Sequence, residues 1–121
     1  MSKHLDLLRE QVEGSALRLS ADAIGFAVAI TDREFITAKA GMIRRWSRVE
    51  RFPLEELVDL RAFPNPSANL LQLQFSGASR SEVVTIMYPP ESAAAFERLI
   101  AILRDYITEN QRRAESHDEK S

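Results

Sequence analysis

The sequence predicts a mainly β domain ending in one amphipathic C-terminal α-helix, and three observations carry that reading. About seven short segments between Ala16 and Tyr88 alternate apolar and polar residues with a period of two. From Pro90 onward the period changes to 3.6. The chain has 121 residues, enough for one domain that buries roughly two thirds of its extended-chain surface without disulfide staples.

The elements follow in order. Leu5, Leu7, Leu8 and Val12 sit among charges at spacings that predict a short helix over residues 3–13, ended by Gly14. Strands are expected over residues 16–88. In "SALRLSAD", Leu17 and Leu19 share one face of a first strand. "GFAVAIT" and "FITAKA" flank "TDRE" and read as a β-hairpin. With Asp32 and Arg33 as a two-residue turn, Ile30 faces Phe35, Val28 faces Thr37, and Ala29 faces Ile36. Residues 43–52, "IRRWSRVERF", form the next strand, closed at Pro53, which has no N–H to give to a ladder.

"ELVDLRAF" alternates Leu57, Asp59, Arg61 and Phe63 with Val58, Leu60 and Ala62. After the turn "PNPSAN", Leu71, Leu73 and Phe75 face inward while Gln72 and Gln74 face outward. "EVVTIMY" sets Val84, Ile86 and Tyr88 against Val83, Thr85 and Met87. Phe96, Leu99, Ile100, Leu103 and Ile107 then form one helical stripe over 90–109, with Pro90 in the first turn. Residues 111–121 have no apolar residue except Ala114 and read as a flexible polar tail.

Hairpin-length connections between consecutive strands favour an antiparallel meander over parallel βαβ units. That order resembles the bacterial pleckstrin-homology-like (PH-like) domains and their GRAM-type relatives. The residues that carry the resemblance are "VAITDREFI" at Val28–Ile36, "RFPLEELVDL" at Arg51–Leu60 and the strand-then-helix close at Glu82–Ile107. The resemblance implies a barrel of two near-orthogonal antiparallel sheets with the C-terminal helix plugging one end. It also implies an adaptor that binds lipids, peptides or proteins rather than a catalyst.

The composition is that of an ordinary globular protein, 45% hydrophobic and 28% charged. A net charge of −2 argues against nucleic acid as a partner. With no cysteine there is no thiol nucleophile or disulfide framework. No window approaches the ~18 apolar residues of a membrane span, and the N-terminus lacks a secretory pattern, so a bacterial cytoplasmic protein is expected.

Catalysis finds little support. His4 and His117, the only histidines, lie in the first and last segments. Glu55 and Glu56 read as a solvated turn rather than an acid/base pair, and Asp32 as a turn residue rather than a metal ligand. No cofactor, metal or catalytic residue is expected.

Two surfaces remain as candidates. The hairpin face with Ala27, Ala29, Ile36 and Ala38 is small and apolar, and needs a cover: the N-terminal helix or another chain. The second surface is the arginine-rich strand. Alternation sends Arg45 and Arg51 to one face and Arg44, Trp46 and Arg48 to the other, where Glu50 interrupts them. Trp46 is either an exposed platform or a core residue. The loop "LSADAIG", which matches the PH-domain lipid loop, offers one Asp22 and, apart from nearby Arg18, no cation.

The expectation is therefore a non-enzymatic interaction or adaptor domain that binds a protein partner or self-associates. The alternative is an anionic-lipid or membrane-surface adaptor using Arg44, Arg45, Trp46 and Arg48. A small cofactor-free enzyme ranks last.

Overall fold

The computed structural model describes residues 3–11, 17–40, 47–77 and 81–120. In chain order its elements are α1 (Lys3–Gln11), β1 (Leu17–Ala23), β2 (Phe26–Thr31), β3 (Glu34–Lys39), β4 (Arg48–Pro53), β5 (Leu57–Phe63), β6 (Asn69–Ser76), β7 (Ser81–Tyr88) and α2 (Ala93–Lys120). Single 3-10 turns at Leu54–Glu56 and Pro90–Ser92 precede β5 and α2. The strands form two antiparallel sheets, a first in the order β1-β2-β3-β4 and a second in the order β5-β6-β7.

The β2–β3 hairpin has the register its apolar pattern demands: Ile30 opposite Phe35, Ala29 opposite Ile36, Val28 opposite Thr37. Its turn has no glycine and is closed by Thr31 instead. The buried Thr31 hydroxyl accepts the N–H groups of Glu34 (3.0 Å) and Arg33 (3.3 Å), replacing backbone partners that a tight turn leaves free. At the β1–β2 turn Gly25 has φ +88°, a conformation that costs a residue with a Cβ. β1 runs on to Ala23, so of the stretch "LSADAIG" only Ile24 and Gly25 form the turn.

The core lies between the sheets and α2. Phe35, Phe52 and Phe75 stack at its centre with ring centroids 5.0–6.3 Å apart. Phe96, Leu99 and Leu103 of α2 are fully buried against them, and Ile100 and Ile107 partly so, as the 3.6-residue stripe requires. Each such side chain contributes about 1.5–3 kcal/mol of burial. Tyr88 stacks on Phe96 with ring centroids 4.0 Å apart and the rings nearly parallel.

The end of the packed part of α2 is fixed to the joint between the sheets. Asn110 Nδ2 donates to the carbonyls of Leu54 and Leu57, both at 2.9 Å, and Leu54 N–H donates to the Arg33 carbonyl. Across the other edge, Ile24 N–H donates to the Met87 carbonyl at 2.7 Å.

Two expectations change. α2 starts at Ala93 and continues to Lys120, so residues 111–120 are helical rather than a tail. They lack an apolar face, but Gln, Arg, Ala, Glu and Lys are good helix formers, and Arg112 pairs with Glu109 (3.7 Å) one turn away. A bulge between Leu57 and Asp59 breaks the even alternation of β5, which lets Leu57 point into the core while Phe63 points out. α1 is described over Lys3–Gln11, and residues 12 and 13 of the expected helix lie outside the described residues.

Candidate functional site

The outer face of the first sheet is the one the sequence marks for a cover. Ala27, Ala29, Ile36 and Ala38 occupy neighbouring positions on β2 and β3, and each is 0% exposed. The cover is the chain's own α1. Leu8 is fully buried against Ala29, Ile36 and Ala38, with Leu5, Leu7 and Val49 packed around it. His4 Nδ1 accepts the Ala40 N–H at 2.8 Å and fixes the start of the helix over the end of β3. Of the two covers the sequence allows, the helix occupies the face, and these four residues offer no exposed area to another chain.

The second sheet has a different outer face. Pairing places Phe63 opposite Leu70 and Leu70 opposite Met87, one apolar row across all three strands. Phe63 and Met87 are 46% and 47% exposed, large values for such side chains. Ile24, exposed in the β1–β2 turn, meets the edge of this sheet through its N–H bond to the Met87 carbonyl. The next rows are polar: Arg61, Gln72 and Thr85, then Asp59 and Gln74 beside exposed Val83. Arg61 Nε pairs with Asp59 Oδ2 at 3.4 Å, and Asp59 Oδ1 accepts the Leu60 N–H at 2.9 Å. No described element packs on this face. The alternation of Leu71, Leu73 and Phe75 with the glutamines identifies the face, but the apolar row appears only once the strands are paired.

The arginine stretch is partly placed. Arg44, Arg45 and Trp46 lie outside the described residues; Arg48 begins β4 and is exposed. Arg51 is tied to Glu34 at 3.0 Å, and Glu50 stands opposite Thr37. A cation missed in the sequence joins this edge: exposed Lys39 stands directly opposite Arg48 across the β3–β4 ladder. Among the described residues neither has an acidic partner. Two like charges at opposed positions destabilise a ladder, so the pair marks a place where an anion is favoured.

A half-open cleft of about 440 Å³ runs between the β2–β3 turn, the β4–β5 joint and α2. Asp32, Glu34 and Glu55 line it together with Arg33, Arg113 and Tyr106. Tyr106 accepts from Arg18 Nη1 (3.2 Å) and donates to the Asp32 carbonyl (3.3 Å), so its hydroxyl is engaged in packing. Glu55 and Glu56 both sit in the 3-10 turn, Glu55 exposed and Glu56 half-buried. Among the described residues no three His, Cys, Asp or Glu side chains converge as a metal site. Nor is any described helix long and apolar enough to cross a membrane.

The chain is similar in structure to the pleckstrin homology domain from Shewanella amazonensis SB2B. The match has a TM-score of 0.64 and 13% sequence identity, and covers 84% of this chain and 96% of that one. No protein-family model matches the chain, and no curated protein matches it. The fold is PH-like: two antiparallel sheets of four and three strands with a C-terminal helix.

Proposed function

We propose that this chain is a non-enzymatic PH-like interaction domain that engages protein through the outer face of its second sheet. The observation that supports this is the row Phe63, Leu70 and Met87 on a sheet face that no described element covers. Exposed aromatic and methionine side chains beside a polar, hydrogen-bonding surround are the composition of an interface core with its rim. The PH-like fold supports an adaptor role in general, and a cytoplasmic location fits it.

The test is affinity capture from the native cell with the wild-type chain and with Met87→Glu as bait. The expected result is a captured protein that M87E loses and Lys39→Glu/Arg48→Glu keeps. Capture unchanged by M87E would remove the face from the reading.

The membrane-surface alternative is favoured by one observation: Lys39 and Arg48, which have no acidic partner among the described residues, stand at the edge that leads into the segment bearing Arg44, Arg45 and Trp46. Each cation near an anionic bilayer contributes about 1 kcal/mol. In this reading the protein sediments with phosphatidylserine vesicles at physiological salt, K39E/R48E is released, and M87E is retained.

A further inference from the structure

We infer that the occupant of the second sheet's outer face is a second copy of this chain, packed face to face about a two-fold axis parallel to the strands. The inference rests on the reading of that face as the interaction surface. Such an axis reverses strand order and leaves every row at its own height, so each row meets itself. Phe63 then lies over the partner's Met87, and Leu70 lies over the partner's Leu70. One row further, Gln72 meets its own copy, and a primary amide both donates and accepts. A two-fold across the strands through the central Gln72 row would instead lay Phe63 on Asp59, Leu70 on Gln74 and Met87 on Val83.

The charges agree with this geometry. Asp59 is satisfied at home by Arg61 and the Leu60 N–H, so the face brings no net charge and no unpaired carboxylate to a copy of itself. A different protein would need no such self-neutrality. Three strands about 4.8 Å apart and eight residues at about 3.3 Å give a face on the order of 400 Å². A standard interface buries roughly 800 Å² per partner, so this dimer is weak and concentration-dependent.

Sedimentation equilibrium on the purified full chain, from about 10 µM to 1 mM, tests this weak-association range. The expected mass rises from one chain toward two, and M87E weakens association at least tenfold. Phe63→Lys added to M87E restores association, because each introduced ammonium group then faces an introduced carboxylate across the axis. Positions 63 and 87 are both exposed, so the substitutions leave the core intact, and circular dichroism checks this. A single-chain mass at every concentration overturns the homotypic interface, while loss of a captured protein by M87E would still uphold the face. A mass that M87E leaves unchanged, or a double variant as monomeric as M87E alone, overturns the geometry.

Discussion

The first sheet hides its outer face and the second presents its own, although both are antiparallel and share one core. Under α1, the Ala27, Ala29, Ile36 and Ala38 surface is apolar at every described β2–β3 position it uses, and water is excluded from it. On the second sheet, Gln72, Gln74, Thr85 and Arg61 keep most of the face hydrated and gather its continuous apolar surface into one row, with exposed Val83 apart from it. A wholly apolar face must be covered within the chain for the domain to be soluble. A face that is apolar along one edge is stable bare and remains available for a reversible contact.

The sharpest way to break this comparison is to cut equally into both faces. Ile36→Ala leaves a cavity beneath α1 and costs about 2–5 kcal/mol in urea unfolding, whereas Met87→Ala stays within about 0.5 kcal/mol. Equal costs would mean that the two faces are not differently buried. The joint that sets the sheets against each other is next: Asn110→Ala removes the side-chain donor to the Leu54 and Leu57 carbonyls, of which Leu54 keeps the Leu57 N–H, and costs about 1–2 kcal/mol. At the opposite edge, Gly25→Ala forces a Cβ into a positive-φ turn and costs about 1 kcal/mol. Chemical denaturation reads each of these.

The smallest effect lies one residue from the bare row. Met87 points out and Tyr88 points in, where burial first and the nearby Glu97 carboxylate second raise the Tyr88 hydroxyl above its ordinary value. The native state therefore holds this proton more tightly than the unfolded state does. Its contribution to stability is complete below about pH 10 and is lost as pH rises from there through the native value. The melting temperature should fall across that alkaline range, and Tyr88→Phe, which keeps the stack on Phe96, should flatten the fall.

Much of this was legible in the sequence because strand alternation is a local signal. The hairpin register, the inward Leu71, Leu73 and Phe75, and the α2 stripe all follow from periods of two and 3.6. What was not legible depends on pairing between distant strands. The row of Phe63, Leu70 and Met87 exists only when β5, β6 and β7 are set in register, and the β5 bulge shifts that register by one residue. Lys39 was overlooked for the same reason: nothing in "TAKA" points to Arg48 until β3 and β4 pair. The helical course of residues 111–120 has no apolar stripe to mark it and shows only in the helix propensity of its residues.

The difference between the two faces can be measured directly because the chain has no native cysteine. Single variants Ala38→Cys and Met87→Cys place one thiol under α1 and one on the bare row. Thiol labelling in dilute solution should be at least a hundredfold faster at position 87, and raising the protein concentration should slow labelling there and leave position 38 unchanged. Comparable rates at the two positions, or protection that appears at 38 and not at 87, would contradict the account.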